Sequence, residues 1–518
     1  MNETLRKRML SPDFYSHRPP SVREVQTHIS HVFIAPPYVY KVKKPVDFGF
    51  LDFTTLPRRC FYTFRELLLN SRFAPGLYLD VLPVTFDGQS YRLSGEGEHA
   101  EYALVMRQFN EERVMKRLIE AGTLTDGQVA ELGKRLAEIH GGADSVPPER
   151  GLGTYDSVRF DCEENFEQLS PFLGDFVDAE TWNAVKEGTL GFLERHRDLF
   201  QFRLSSGSVR DCHGDLHTEH IIFEEKALYI FDCIEFNERF RFIDTMSDLA
   251  FLVMELEFLG QASRNPVLLN VYFAHVEDKW GPRMLDFYAC YRATVRAKVH
   301  AFTAGDASVP EKQRERSKAL SRAYLGLAER LIRRYERPYL VLTMGLSGTG
   351  KTTVARALAD RNGITVVSSD VVRKDLMEGQ TFAAGRWNEG LYRPENRARV
   401  YDRMFASARE TLRDGRSVCL DASFLDASQR ERAAALAGEI GANLLALVCH
   451  CAEDQVRKFL EERRAAGNDA SDADFGIYLK QKEAFKGWDP IPAYSRFSID
   501  TTGGIPEEEL DLLAPFVV

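Results

Sequence analysis

Two stretches of the 518-residue chain carry residue types at spacings that suit phosphate chemistry. Residues 345–352 read GLSGTGKT, which fits G-x-x-x-x-G-K-S/T with Gly345, Gly350, Lys351 and Thr352. Glycines there let backbone N–H groups close round phosphate oxygens, and the start of a helix adds its positive end. Lys351 then reaches the terminal phosphates of a nucleotide, and the Thr352 hydroxyl is offered to Mg²⁺; Ser347, Gly348, Thr349 and Thr353 complete the expected cradle. Downstream, SSDVVRK places Asp370 and Arg373 at the end of a strand, where a carboxylate can orient or deprotonate an acceptor hydroxyl and a guanidinium can contact acceptor or phosphate. A helix cap is the structural alternative for Asp370. SVCLDAS ends another strand with Asp421, a carboxylate suited to holding Mg²⁺, or else a turn residue. In EDQVRKFLEERR, Arg457, Arg463 and Arg464 suit either a cover over the transferring phosphate or surface ion pairs with Glu453 and Glu461.

The second stretch is RDCHGDLHTEHIIF, residues 210–223, followed by IFDCIEFN, residues 230–237. Asp215 in the first and Asp232 in the second are two carboxylates on adjacent hairpin elements, which suits one base and one Mg²⁺ ligand. A rival reading joins His213, His217 and His220 as a transition-metal cluster, but Gly214 and the strand-like flank oppose the continuous helix that this spacing needs. In YVYKVKK, Lys41 and Lys43 share one strand face, and Tyr40 and Val42 share the other. Arg292 and Arg296 lie one helical turn apart and suit an anionic acceptor or a solvated face.

The elements that position these residues follow from periodicity. Residues 25–110 read as an antiparallel sheet interrupted by one helix near 59–71. Residues 111–336 are mostly helical, with short strand pairs near 220–223 and 228–232 and a long charged helix over 311–335 that ends before Pro338. Beyond it, apolar runs alternate with helices, which predicts a parallel sheet covered on both faces. The expected domains are therefore 1–110, 111–336 and 337–518.

Hydrophobic residues make up 44% and charged residues 28%, an ordinary globular composition. The net charge of −10 disfavours a protein that coats nucleic acid through a global positive field. No apolar run is long enough to span a bilayer and the N-terminus is too polar for a signal peptide, so a cytoplasmic location without membrane partners is expected. Eight cysteines are too few for a disulfide framework, and Cys449 and Cys451 lack the second pair that structural zinc requires.

The succession GLSGTGKT, SSDVVRK, VCLDASF and an arginine-bearing helix resembles the small P-loop kinases grouped with polynucleotide kinase, gluconate kinase and zeta-toxin-like enzymes. The resemblance implies transfer of the γ-phosphoryl group of ATP to an acceptor hydroxyl. Residues 210–237 resemble the aminoglycoside phosphotransferase and choline kinase branch of the protein-kinase-like fold, whose loop reads H-G-D-x-H-x-x-N. His213, Gly214, Asp215 and His217 match that loop, Asp232 matches the metal-binding aspartate, and Asp248 matches the aspartate that buttresses the loop. The resemblance implies that Lys41 meets the ATP phosphates and pairs with Glu66. The sequence departs from the pattern at His220, which stands where the family has a second metal-binding Asn. Together the two resemblances look like bacterial fusions of a two-lobed kinase-like domain with a C-terminal P-loop kinase, which implies a bifunctional ATP- and Mg²⁺-dependent phosphotransferase with an unidentified, small hydroxyl-bearing acceptor. Two alternatives remain: a nucleic-acid end or nucleotide-sugar kinase, and a nucleotide-sensing regulator with an inactive N-terminal domain.

Overall fold

A computed structural model of the chain describes residues 1–49, 51–376, 394–466 and 474–517. Its contacts define two compact units, Met1–Asp161 with Phe202–Val276 and Cys162–Gln201 with Glu277–Val518.

The first unit opens on a six-stranded sheet of β1 (Arg23–Gln26), β2 (Ser30–Ala35), β3 (Tyr38–Lys43), β4 (Tyr78–Phe86), β5 (Tyr91–Leu93) and β6 (Glu98–Arg107). Its order is β1-β2-β3-β6-β4-β5, with every pairing antiparallel. Alternation along β3 decides its two faces. Tyr40 and Val42 pack with Phe33, Val105 and the N-terminal Leu5, Met9 and Tyr15, while Val39 joins Ile34, Leu104 and Leu77 on the other face. Lys41 and Lys43 share the face of Val39, toward the helix Leu56–Phe73. That helix starts where Thr55 caps the Arg58 amide and Pro57 occupies the first turn, and it buries Thr63, Glu66 and Asn70 on one stripe.

Two short antiparallel pairs frame the loops behind this sheet: β7 (Val209–Asp211) with β10 (Phe242–Asp244), and β8 (Ile221–Phe223) with β9 (Leu228–Ile230). The β7–β10 pair carries no long alternation and escapes the sequence reading. Asp244 caps the buried helix Thr245–Phe258 and is itself held by the buried Arg203 at 2.7 Å.

In the second unit, β11 (Tyr339–Met344), β12 (Thr365–Ser368), β13 (Val418–Asp421), β14 (Asn443–His450) and β15 (Arg496–Asp500) form a parallel sheet of order β12-β13-β11-β14-β15. Strand β11 is buried at every position, as a sheet covered on both faces demands. Helices Lys351–Asn362, Pro394–Arg413, Ala427–Ile440 and Glu453–Ala466 follow successive strands. The division of contacts does not run at Pro338. Helices Ala179–Arg195, Gly281–Gly305 and Glu311–Ile332 group with the parallel sheet; Trp280, before the second of them, meets Phe497 of β15 at 4.7 Å, and His196, after the first, stacks on Phe516 in the turn Ala514–Phe516 at 4.0 Å. Among the described residues no helix is long and apolar enough to cross a membrane.

Candidate functional site

The loop after β11 is shaped by close approach. Gly345 has φ +148°, and a Cβ there would lie 2.5 Å from the Cys449 carbonyl oxygen on the neighbouring β14. Thr349 Oγ1 donates to Leu346 O at 2.9 Å, and Thr501 Oγ1 donates to Thr349 O at 3.1 Å, so the loop is braced from both sides. Gly350, in the left-handed region, starts the helix that carries Lys351, Thr352 and Thr353. Lys351 Nζ donates to Leu346 O at 2.7 Å. Burial pushes its amine below the ordinary lysine range, against the pull of Asp421. Thr352 Oγ1 donates to Asp421 Oδ2 at 2.8 Å, and Thr343 Oγ1 donates to Asp421 Oδ1 at 3.0 Å. These donors are hard oxygens, which fit Mg²⁺.

A cavity of about 960 Å³ opens over the loop, lined by Ser347, Gly348, Gly350, Lys351, Thr352 and Thr353 together with Asp370, Arg373, Asp421 and Arg463. Asp370 and Arg373 form an ion pair one turn apart on the helix Ser369–Leu376. Of the arginines considered for the cover, Arg463 lines the cavity, whereas Arg457 lies over the Phe475 ring, 4.2 Å from its centroid, and Arg464 is exposed. That placement corrects the expectation for Arg457: the Phe475 ring draws its guanidinium away from the cavity. Sequence reasoning misses Gln481, whose Oε1 accepts from the Ser347 amide at 2.7 Å, and Tyr401, whose hydroxyl accepts from the Phe424 amide at 3.3 Å. Both lie far from the motif in sequence and carry no signal of their own.

In the first unit the loops 212–220 and 231–237 bring a second set together. Lys41 Nζ lies 2.8 Å from Glu66 and 2.6 Å from Asp232 Oδ1. Lys43 Nζ bonds the other Glu66 oxygen at 2.6 Å and also pairs with the buried Glu235. Sequence reasoning leaves this second pair unread. Burial pushes the Lys41 amine down, but Asp232 and Glu66 outweigh it and hold it well above the ordinary range. The catalytic-type loop is fixed from behind by Asp248, which accepts from the amides of His213 at 3.0 Å and Gly214 at 2.9 Å and faces His140 Nε2 at 3.3 Å. Gly214 has φ +85°, and a Cβ there would lie 2.6 Å from Phe240 O. His213 Nε2 lies 2.8 Å from Phe231 O, which ties the two loops.

Asp215 faces His217 Nε2 at 3.4 Å and His220 Nδ1 at 3.7 Å. Burial favours its neutral form, but His217, His220 and His213 outweigh it and hold the carboxyl below its ordinary range. Asp232 adopts φ +62° and is likewise held down, burial being overcome by Lys41 and His220. Burial, aided by His217, pushes the His220 imidazole down to about 4. Asp232 fits a divalent cation as an oxygen donor, whereas the imidazole of His220 is a poor Mg²⁺ ligand. The rival three-histidine cluster does not form: His213 points to Phe231, and the ligand atoms that come together, within 4.8 Å of one another, belong to Asp215, His217 and His220. Arg292 is buried in the helix Gly281–Gly305 of the other unit.

Fold and sites define a fusion of a protein-kinase-like domain with a C-terminal P-loop kinase-type domain. A family model described as an AAA domain matches residues 340–488. The uncharacterized protein Rv2004c of Mycobacterium tuberculosis is 30% identical over 482 residues, covering 92% of each chain, as is the uncharacterized protein Mb2027c of Mycobacterium bovis. The chain belongs to the family of these mycobacterial proteins. Among solved structures, a choline/ethanolamine kinase family protein from Mesorhizobium loti is 14% identical, covers 63% of this chain and 99% of its own, and has a TM-score of 0.39. A gluconokinase from Sinorhizobium meliloti is 20% identical, covers 35% of this chain and 91% of its own, and has a TM-score of 0.25.

Proposed function

We propose that the protein is a cytoplasmic, ATP-dependent phosphotransferase with two active sites, each passing the γ-phosphoryl group of ATP to a hydroxyl-bearing small molecule. The observation that carries the reading is the buried Asp421 carboxylate bonded to the Thr352 hydroxyl beside Lys351, in one cavity with Asp370. In that cavity the loop amides and Lys351 neutralise the phosphate charge, and Asp370 accepts the proton of the acceptor hydroxyl. The acceptor oxygen forms its bond to the γ-phosphorus as the bond to the ADP oxygen breaks in line. Arg373 and Arg463 face the group in transfer. Thr352 and Asp421 are the residues that would hold Mg²⁺, which would supply positive charge to the phosphate in transfer.

In the first unit, Glu66 holds Lys41 toward the ATP phosphates, Asp232 is the cation ligand, and Asp215 takes the acceptor proton. A cavity of about 960 Å³ is the size of a small-molecule pocket, and the net charge of −10 does not favour a nucleic acid. The test is transfer of γ-labelled phosphate from ATP into separate metabolite and RNA pools by wild type, Asp215→Ala and Lys351→Ala. Two labelled metabolites, each lost in a different variant, are expected. Label entering RNA ends alone would select a nucleic-acid kinase. The presence of His220 in place of an asparagine favours a second reading, a regulatory N-terminal domain, and loss of all transfer in Lys351→Ala with none in Asp215→Ala would select it.

A further inference from the structure

The hydrogen bonds of His220 fix which of its nitrogens is available. Nδ1 lies 3.0 Å from the backbone carbonyl oxygen of Asp215, and a carbonyl oxygen only accepts, so Nδ1 carries the proton. Nε2 faces Asp232 Oδ2 at 3.7 Å, too far for it to donate a hydrogen bond there. The imidazole therefore presents its lone pair toward a carboxylate oxygen. Asp232 Oδ1 is already engaged by Lys41 Nζ at 2.6 Å, which leaves Oδ2 as the oxygen turned to the ring. Two electron-pair donors facing one another call for a cation between them. Metal–nitrogen and metal–oxygen bonds of about 2.1 Å each span such a gap in a bent arrangement.

The neighbouring nitrogens do not offer the same. His217 Nδ1 accepts from the Glu219 amide at 3.3 Å, so its Nε2–H is the side that faces Asp215 Oδ2. Although Asp215, His217 and His220 cluster within 4.8 Å, the two nitrogens nearest Asp215 both carry hydrogens, His217 Nε2–H facing its carboxylate and His220 Nδ1–H its backbone carbonyl. The cation position lies on the other side of the His220 ring.

We propose that His220 Nε2 and Asp232 Oδ2 form a divalent transition-metal site that selects a borderline cation, of the Mn²⁺ or Zn²⁺ kind, over Mg²⁺. The proposal rests on reading Asp232 as a cation ligand and replaces the all-oxygen pair of an Asp–Asn site by one nitrogen and one oxygen. Nitrogen donors favour first-row transition cations, whereas Mg²⁺ holds to oxygen and water. Nucleotide phosphate oxygens and water complete the shell.

Pulsed electron paramagnetic resonance of the full chain with Mn²⁺ and no nucleotide tests this directly. The pair Thr352 and Asp421 supplies only oxygen, so nitrogen coupling to Mn²⁺ reports the first unit alone. Coupling from one imidazole is expected in wild type and in Asp421→Asn, with loss in both His220→Asn and Asp232→Asn. Displacement of the nitrogen-coupled Mn²⁺ is expected to need about tenfold more Mg²⁺ than displacement of the Mn²⁺ that His220→Asn retains. Absence of nitrogen coupling, coupling that survives His220→Asn, or equal displacement by Mg²⁺ would each overturn the proposal. Asp215-dependent transfer without nitrogen coupling would sink the metal site and leave the phosphotransferase reading standing; coupling without transfer would do the reverse.

Discussion

Asp248→Asn isolates what holds the loop that carries Asp215. The buried carboxylate accepts from the His213 amide through Oδ2 and from the Gly214 amide through Oδ1, and Oδ2 also faces His140 Nε2, whose other nitrogen lies 2.8 Å from the Tyr272 hydroxyl. Asparagine keeps the shape but replaces one acceptor oxygen by an N–H₂ donor, so one backbone amide is left facing a donor. A hydrogen bond to a charged group contributes about 1.5–3 kcal/mol, and leaving its buried partner unmet costs a similar amount. If the loop opens locally, that loss corresponds to amide exchange about 10 to 100 times faster, at about 1.4 kcal/mol per decade. Hydrogen exchange resolved to the peptide spanning 210–216 reads this, with the peptide over β11 as an internal reference. Unchanged protection of His213 and Gly214 in a variant whose β11 protection is also unchanged would refute the buttress, and with it the claim that Asp215 is positioned from behind.

Gly345→Ala places a Cβ 2.5 Å from Cys449 O at φ +148°, a strain of about 1–3 kcal/mol, and is expected to weaken binding of a fluorescent ATP analogue about tenfold or more, whereas Gly363→Ala, at φ +71° with nothing within 4 Å, leaves it near wild type. Glu235→Ala leaves the buried Lys43 ammonium with Glu66 as its remaining carboxylate and is expected to destabilise the first unit by about 1.5–3 kcal/mol, while the double variant Lys43→Met, Glu235→Leu recovers most of that in chemical denaturation. Burial pushes His196 down to about 3, so between about 3 and the ordinary 6.5 the unfolded chain binds a proton that the native chain refuses. Stability therefore rises with pH across that window and is lost as pH falls through it; His196→Phe, which keeps the ring on Phe516, is expected to flatten the fall in melting temperature between about pH 7 and about pH 5.

The parts of the molecule that follow a period were legible in the sequence. Strand β3 alternates two lysines with Tyr40 and Val42, and that alternation alone puts Lys41 and Lys43 on one face. The apolar runs of the second unit announce a parallel sheet, because strands covered on both sides have no polar face to hide. The glycine-rich loop was legible for a different reason: its steric demand leaves glycine at fixed offsets, as the 2.5 Å approach to Cys449 O illustrates. What stayed hidden depends on distant partners. Nothing local to Gln481 says that it accepts from the Ser347 amide, nothing in EDQVRKFLEERR says that Phe475 draws Arg457 aside, and the choice of Lys43 for Glu235 is made by a strand and a loop far apart in the chain. The boundary at Pro338 was read from a change of periodicity, yet the rings of Trp280, His196, Phe497 and Phe516 group helices from before it with the sheet after it.

The two sites hold charge by opposite means. In the second unit the loop backbone is shaped by glycine geometry, and Lys351 Nζ donates to Leu346 O. Burial there outweighs the pull of Asp421 and draws the amine below its ordinary range. In the first unit no glycine-rich loop precedes β3, and two buried lysines are instead neutralised in place by Glu66, Asp232 and Glu235. On the proposed function, a phosphate approaching Lys41 competes with the carboxylates already bonded to it, and a cation at Asp232 would release the lysine. On the same reading, the first unit takes a nucleotide by exchanging one set of ion pairs for another. Under the proposed metal site, the nitrogen of His220 decides which cation drives that exchange.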